Sequence, residues 1–180
     1  MNPKHEIRIS KFFSLVLRHD PAKAGLTLDA NGWAQVEALL AGCGRAGLAV
    51  TREELDHVVA NNPKKRFALS PDGARIRASQ GHSVAVDLAL AAQTPPEILF
   101  HGTADRNLAS IKDRGLVRGG RQHVHLSLDE ETAFKVGQRH GRPLILRVRA
   151  AEMAAAGFAF HCSENGVWLV DEVPAEYLEY

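Results

Sequence analysis

The hydrophobic pattern changes its period near Lys64, and this change limits the folds open to the first half of the chain. Before Lys64, apolar residues recur at helical spacing in three segments. After it, a basic stretch (64–69) and a stretch in which apolar and basic residues alternate (74–78) lie on either side of a turn, as in a hairpin. The three helices and two strands that this predicts are 7–19, 33–40, 52–60, 64–69 and 74–78. Three short helices followed by a basic hairpin is the layout of a winged helix, in which the hairpin presents cations to a nucleic-acid backbone.

Local signals predict where the first and third helices end or begin. Thr51 is a good N-cap, and Glu54 three residues later completes a capping box. Asp20 precedes a proline and is therefore disfavoured in helical geometry, which leaves Arg18 and His19 in the last turn of the first helix. Positive side chains at that end interact favourably with the helix dipole, which is a purely structural reason for both residues.

Two weaker signals concern the segments around the second helix. The alternation Leu26-Thr27-Leu28 predicts a short strand, and the glycines between 42 and 47 are expected to interrupt the helix.

In the hairpin, Arg75 and Arg77 alternate onto one face, which favours contact with a nucleic-acid backbone over an ordinary solvated surface. Residues 84–94 have no periodicity and are expected to link two lobes.

In the second half of the chain, the stretch from Leu99 to Thr103 is the most informative. Leu99 and Phe100 predict a buried strand, which is expected to stop at His101. Gly102 would let another molecule approach the backbone, and His101 and Thr103 can form hydrogen bonds with it. The stretch is therefore either the floor of a ligand site or a strand end whose histidine closes a loop.

The remaining elements of this half alternate between strands and short helices. The strand at 123–127 places His123, His125 and Ser127 on one face, and Ser127 is expected to cap the helix that follows. The other strands are expected at 144–148, 158–160 and 167–170, and the helices at 107–114, 129–136 and 151–156.

Composition limits the class of protein. The chain has 180 residues, of which 45% are hydrophobic, and its net charge is +1. Residues 1–92 carry 12 Lys and Arg against 9 Asp and Glu, whereas 93–180 carry 10 against 12, so the first half is favoured to contact a polyanion. Two distant cysteines imply no disulfide and a reducing compartment, and no apolar run is long enough for a membrane helix. A soluble, cytoplasmic protein without a membrane partner is expected.

Several reaction classes lack their motifs. The chain has no GxxxxGK[ST], GxGxxG or GxSxG motif, which disfavours a phosphate-loop enzyme, a standard dinucleotide-binding fold and a serine hydrolase. His123, His125 and His161 have no further ligand at metal-site spacing, and Cys162 beside His161 is weak evidence for a thiol nucleophile. No metal is expected.

Six short motifs follow one another in a specific order and spacing along nearly the whole chain. They are SKFFSLVLRHDP (10–21), KRF (65–67), QGHS (80–83), LFHGT (99–103), HVHLS (123–127) and NGVWL (165–169). With these motifs the chain closely resembles the RNA 2′-phosphotransferases of the KptA type. The sequence does not depart from that pattern at any of the six.

The resemblance implies an α+β fold with two lobes: an N-terminal winged-helix RNA lobe (1–92) and a C-terminal ADP-ribosyltransferase-like β lobe (93–180). It also implies NAD as co-substrate, held without a GxGxxG motif, and an RNA with an internal 2′-phosphate, such as a tRNA in splicing. The expected products are 2′-OH RNA, ADP-ribose 1″,2″-cyclic phosphate and nicotinamide. A monomer is expected.

The same resemblance assigns site residues. Arg18, His19, Arg66 and Arg121 are the expected catalytic residues, the three arginines on the 2′-phosphate; Arg118 and Arg139 remain alternatives to Arg121. The expected NAD ligands are His101, Gly102, Thr103, His125, Ser127 and Arg139. Two other functions stay open: an ADP-ribosyltransferase acting on nucleic-acid ends or protein that stops after the first step, and a non-catalytic RNA-binding protein.

Overall fold

Two separate hydrophobic cores organise the chain, one for each of two compact units. The computed structural model describes residues 1–180, and the units are Met1–Ala89 and Leu90–Tyr180. Helices and antiparallel sheets occur in both units, which confirms the α+β class. The division falls three residues before the expected boundary at 92; the winged-helix and ADP-ribosyltransferase-like assignments of the units stay predictions.

The first unit has three helices and a small sheet. Its elements are α1 Pro3–Arg18, β1 Ala34–Gln35, α2 Val36–Arg45, α3 Arg52–Asn61, β2 Phe67–Leu69 and β3 Arg75–Ala78. The strands are antiparallel in the order β1-β3-β2. The capping box predicted at Thr51 and Glu54 is present, with both side chain-to-backbone hydrogen bonds formed. This confirms the start of α3.

Helix α1 carries the main core stripe of this unit. Asn2 caps its N-terminus by accepting a hydrogen bond from the Lys4 amide, so the helix begins four residues before the expected start. Ile9, Phe13 and Leu17 are fully buried at helical spacing. The helix ends at Arg18, one residue before the expected end. It stops here because Asp20 precedes Pro21 and is therefore disfavoured in helical geometry.

Two expectations for this unit were wrong. Residues 26–28 form no strand, because the Leu26 amide instead closes the preceding 3-10 helix, Pro21–Ala24, by donating to the carbonyl of Pro21. Helix α2 does not break at its glycines but runs to Arg45, since Gly42 packs directly against Ala24 where a Cβ would overlap its carbonyl oxygen. This contact, with a residue 18 positions earlier in the chain, thus overrides the low helix propensity of glycine.

The second unit has three small antiparallel sheets and three short helices. Its elements are β4 Ile98–Ala104, α4 Leu108–Arg114, β5 Leu116–Val117, β6 Val124–Leu126, α5 Glu130–Gly137, β7 Pro143–Arg149, α6 Ala150–Ala155, β8 His161–Cys162, β9 Trp168–Val170, β10 Glu172–Val173 and β11 Leu178–Glu179. The sheet orders are β11-β7-β4, β6-β9-β8 and β10-β5.

Strand β4 does not stop at His101. It pairs with β7 in register from Ile98 to Ala104, with His101 opposite Leu146 in the middle of the ladder. Helix α5 packs against this strand so closely that a Cβ at Gly102 would overlap the carbonyl oxygen of Ala133. The expectation of a strand end was wrong because the partner strand, 40 residues later in the chain, continues the pairing.

Two further local expectations differ from the structure. Asp129, not Ser127, caps α5 by accepting from the Thr132 amide, because the Ser127 main chain exchanges two hydrogen bonds with Phe100. The strand expected at 158–160 lies instead at β8, where His161 pairs with Leu169. In neither unit is any helix long and apolar enough to cross a membrane.

Candidate functional site

The C-terminal end of α1 is held by the segment around Ser83. The carbonyl oxygen of Arg18, one of the unpaired acceptors at a helix end, accepts from the amides of Ser83 (2.9 Å) and Val84 (3.2 Å). Arg18 itself is half-buried, and its Nη2 donates to Ser14 Oγ at 3.5 Å. The guanidinium is therefore held by a contact within its own helix, and the main chain of the same residue by a segment that follows the hairpin.

His19 is exposed just beyond the helix end. Its Nδ1 lies 2.9 Å from Ser83 Oγ, and that hydroxyl also lies within 3.5 Å of the Arg18 carbonyl oxygen. When the hydroxyl donates to the carbonyl, its oxygen accepts from Nδ1–H, and Nε2 carries the lone pair. Sequence reasoning missed Ser83 as a site residue; the motif Gln80–Ser83 was the only signal that could have found it.

His82 precedes Ser83 in the chain and is almost wholly buried. Its side chain is 1% exposed, and neither ring nitrogen has a hydrogen-bond partner. Burial lowers the pKa of His82 to about 4, with the nearby charges of Arg18, His19 and Arg77 acting in the same direction. The ring is therefore neutral at neutral pH and packs as an apolar group, 3.3 Å from where a Cβ on Gly32 would lie.

Arg66 is presented by a short loop that Asn62 organises. The buried Asn62 accepts with Oδ1 from the amides of Lys64 (3.1 Å) and Arg66 (3.4 Å), and donates to Ser10 Oγ. From the other side, Ser79 donates its amide to the Arg66 carbonyl and its hydroxyl to the Lys65 carbonyl. Lys65 consequently has a positive φ of 42°, which is uncommon for a side chain of its size.

The structure brings Arg18 and Arg66 to the same groove. This groove has a volume of about 390 Å³ and lies between one face of α1 and the loop 62–66. Its lining residues are Glu6, Ile7, Ser10, Lys11, Ser14, Arg18, Asn62, Pro63 and Arg66. Two arginines that line one groove offer a set of donors that suits a phosphate.

In the second unit, His101 and His125 are joined through the main chain. His101 Nδ1 donates to the carbonyl oxygen of His125 at 2.9 Å. Burial lowers the pKa of His101. The charge of Arg121 acts in the same direction, and the hydrogen bond to His125 raises the pKa. A neutral His101 whose Nδ1 carries the proton has an acceptor at Nε2, suited to a hydroxyl or amide donor.

The three candidate arginines of this unit differ in their contacts. Arg121 Nη1 donates to His125 Nδ1 at 2.7 Å, which leaves the proton of a neutral His125 on Nε2. Arg118 donates to the Gln122 carbonyl at 3.5 Å, and Arg139 is exposed just after α5. Arg121 is thus the one of the three that bonds to a residue expected to bind NAD.

The other expected NAD ligands of the second unit lie on or beside the same strands. The Thr103 hydroxyl accepts from Asn107 at 2.9 Å, and Ser127 is held beside Phe100 by main-chain bonds. The space beside Gly102 is filled by helix α5, so this glycine has a packing role that the sequence interpretation did not foresee. Its part in binding NAD stays a prediction.

The structure does not support the two alternative chemistries, metal binding by His123, His125 and His161 and a thiol nucleophile at Cys162. His123 lies 3.9 Å from Asp171 and His161 donates to the Leu90 carbonyl, and nowhere in the chain do three His, Cys, Asp or Glu side chains gather in a geometry that could hold a metal ion. Burial raises the pKa of Cys162, which keeps the thiol protonated at neutral pH and disfavours it as a nucleophile.

The chain thus has an α+β fold, two arginines that line one groove, and two histidines joined through a main-chain carbonyl. Residues 4–172 match the family described as RNA 2′-phosphotransferase, Tpt1 / KptA family, and the chain belongs to that family. It is 54% identical over 180 residues to a protein of Flavobacterium johnsoniae, covering 100% of this chain and 99% of that one.

Two more relatives show the same breadth of similarity. A protein of Pseudomonas aeruginosa is 56% identical over 170 residues, 94% of this chain and 93% of its own. A protein of Streptomyces coelicolor is 51% identical over 180 residues, 100% of this chain and 98% of its own. All three relatives carry the name "Probable RNA 2′-phosphotransferase". Similarity therefore covers both units, and the resemblance based on the six motifs is confirmed.

Proposed function

We propose that this protein removes an internal 2′-phosphate from RNA by transferring it to NAD. The observation that carries the proposal is the groove of the first unit, where Arg18 and Arg66 meet on one surface and His19 directly follows Arg18. Family membership supports the same reaction class. The RNA is of the tRNA type, and the protein acts in the cytoplasm as a monomer.

In the first step the phosphate must be held in line with a ribose carbon. Arg18 and Arg66 bind the 2′-phosphate oxygens and orient one of them for attack; Arg121 is the third arginine that the family resemblance assigns to the phosphate. NAD supplies that carbon and nicotinamide as the leaving group. Because the leaving group departs without needing a proton, positioning by fixed guanidinium groups contributes more than acid–base catalysis.

In the second step a ribose hydroxyl attacks the phosphorus, and the RNA 2′-oxygen leaves. This step moves a proton from one oxygen to the other, and His19 is the group that transfers it. Its Nδ1 is bonded to Ser83, so Nε2 is the atom that exchanges the proton. The same arginines stabilise the charge that develops on the phosphoryl oxygens.

The second unit offers groups that fit a dinucleotide. His101 has an acceptor nitrogen in a buried setting, His125 has a donor nitrogen, and Thr103 has a hydroxyl, all on adjacent strands. Ribose hydroxyls and a carboxamide need such a mixture of donors and acceptors. Together with Gly102, Ser127 and Arg139, these residues form the NAD-binding set of the proposal.

The hairpin of the first unit supports contact with RNA. The guanidinium groups of Arg75 and Arg77 lie 5.4 Å and 4.6 Å from the ring centre of Trp33, on one face of the sheet. Stacking on Trp33 holds both guanidinium groups in place, with Arg75 also 3.6 Å from the Asp29 carboxylate, and the positive charge of such a pair suits phosphate contacts. We propose that this unit binds RNA as a winged helix.

The test is to incubate the protein with an RNA oligonucleotide carrying one internal 2′-phosphate, with and without NAD, and to resolve the products. The proposal expects NAD-dependent loss of the 2′-phosphate together with nicotinamide and ADP-ribose 1″,2″-cyclic phosphate. Persistent ADP-ribosylated RNA without cyclic phosphate would favour a transferase that stops after the first step. Turnover without NAD, or none at all, would refute the proposal.

A further inference from the structure

The groove that contains Arg18 and Arg66 is longer than a 2′-phosphate requires. Ser14, Lys11 and Ser10 continue it along the same face of α1, at helical spacing from Arg18. With a rise of 1.5 Å per residue, Lys11 lies roughly 10 Å from Arg18 along the helix axis. One phosphate bound between the two arginines therefore leaves most of the groove open for another part of the substrate.

Lys11 gives this open part a positive charge. Its side chain is exposed and forms no hydrogen bond or ion pair within the chain. Beside it, the Ser10 hydroxyl is fixed as an acceptor for Asn62 Nδ2 at 3.2 Å. Asn62 also sets the conformation of the loop that carries Arg66, so one buried side chain connects the two walls of the groove, helix α1 and the loop.

The far end of the groove has a different character. Glu6 lies there with its carboxylate 3.6 Å from His57, and Ile7 beside it is 56% exposed. A carboxylate repels phosphate, whereas an apolar side chain provides a surface for a sugar or base. Anion binding is thus confined to the stretch between Arg18 and Lys11.

We propose that Lys11 binds the RNA phosphodiester next to the nucleotide that carries the 2′-phosphate. This inference rests on the proposed function and adds to it a second binding position for the RNA strand. An internal 2′-phosphate has a phosphodiester on each side, whereas a phosphorylated nucleoside has none. The groove then lets the enzyme prefer an internal 2′-phosphate over a phosphate on a free nucleotide.

The first experiment compares Lys11→Ala with Lys4→Ala. Lys4 lies on the same helix and is exposed, but it is not part of the groove, so both variants lose one charge from α1. Binding of a fluorescent RNA with one internal 2′-phosphate is measured by anisotropy without NAD, over a range of salt concentrations. Lys11→Ala is expected to bind roughly fivefold more weakly at low salt, with the salt slope reduced by about 0.7. Equal behaviour of the two variants would overturn the proposal.

The second experiment changes the RNA instead of the protein. Each phosphodiester flanking the 2′-phosphate is replaced in turn by a neutral methylphosphonate, and binding to the wild-type protein and Lys11→Ala is measured. At one flanking position, 5′ or 3′, the replacement should weaken wild-type binding as much as Lys11→Ala does and should add nothing to that variant. Additive losses at both positions would contradict the assignment.

A third measurement needs no variant. Acetylation of lysines in the wild-type protein, followed by mass spectrometry, should show Lys11 protected by the RNA and Lys4 unprotected. Turnover of the same RNA with NAD distinguishes a wrong position for Lys11 from a wrong proposed function. Active wild-type enzyme with an unprotected Lys11 would refute only the Lys11 position, whereas a wild-type protein that neither binds nor processes the RNA would refute the proposed function as well.

Discussion

The two units hold their candidate residues in different ways. In the first unit, Arg18, His19 and Arg66 lie at a helix end and on a loop, and side chains such as Ser83 and Asn62 position them. In the second unit, His101 lies inside a strand ladder, and its ring is held by a main-chain carbonyl. A single side-chain substitution can therefore disturb the first arrangement, while the second depends on the register of the backbone.

This difference fits the tasks proposed for the two sets. Groups that bind a phosphate must reach its oxygens from several sides, and long side chains at a helix end and on a loop can converge on it while hydrogen bonds hold them in place. A cofactor-type ligand is bound by groups whose positions do not change, which paired strands supply. Each of the following predictions alters one of the two arrangements.

The largest effect is expected at the helix end. Arg18→Ala should lower kcat by roughly 10²–10³-fold, because a fixed cation aimed at the developing phosphoryl charge is removed. His19→Ala should also slow the second step, and ADP-ribosylated RNA should accumulate in both variants. Arg8→Ala, which removes an exposed arginine from the same helix, is the control. Product analysis over time measures the outcome, and wild-type turnover in both site variants would refute the assigned roles.

The counterpart in the second unit is Gly102→Ala. A Cβ there would overlap the Ala133 carbonyl, so α5 must move from the strand, and the free energy of unfolding should fall by about 3 kcal/mol. Gly120→Ala is the control, because no atom lies within 4 Å of its Cβ position. Denaturant unfolding of both variants measures the effect. Equal stabilities would show that the helix does not depend on this close approach.

The next prediction concerns pH and the buried His82. Its pKa is about 4 in the folded protein and 6.5 in the unfolded chain, so the unfolded state binds more protons between these values. Stability is thus complete above pH 6.5 and is lost as the pH falls toward 4, by about 2 kcal/mol between pH 7 and pH 5.

The measurement is the pH dependence of unfolding for the wild-type protein and for His82→Leu, which keeps the volume but cannot titrate. The wild-type protein should lose about 2 kcal/mol more than the variant over this range. Contributions from the other histidines are common to both proteins and cancel in the difference. An NMR titration that gave His82 an ordinary pKa would contradict the prediction without relying on any variant.

The sequence predicted what is decided locally and missed what is decided by distant contacts. The N-cap at Thr51 and the end of α4 at Gly115 follow from neighbouring residues, and both are present. The continuation of β4 past His101 and the packing role of Gly102 depend on β7 and α5, which lie 30 to 40 residues away. Strands of two residues, such as β10 and β11, are too short to have a period at all.

The candidate site shows the same limit. The six motifs identified the family and contain Arg18, Arg66 and the candidate histidines, because those are properties of the sequence, whereas Arg121 and Arg139 lie outside them. The sequence does not show which hydroxyl contacts His19 or which of the three arginines bonds to His125. Both contacts depend on how loops fold back on the helix and the strand. The contact of Ser83 with His19 could be found only from the folded structure, and for Arg121, already expected from the family resemblance, the structure adds the contact with His125.

The smallest effect is expected at Ser83, which tests the claim that side chains position the first set. Ser83→Ala removes the partner of His19 Nδ1 but leaves the amide that caps α1, so the fold should be retained. Losing one neutral hydrogen bond of about 1 kcal/mol should slow the second step roughly fivefold. The pH dependence of that step should also shift, because the favoured tautomer of His19 is no longer fixed. Ser83→Thr keeps the hydroxyl and should restore both, whereas a rate and pH profile unchanged in Ser83→Ala would show that His19 is positioned without it.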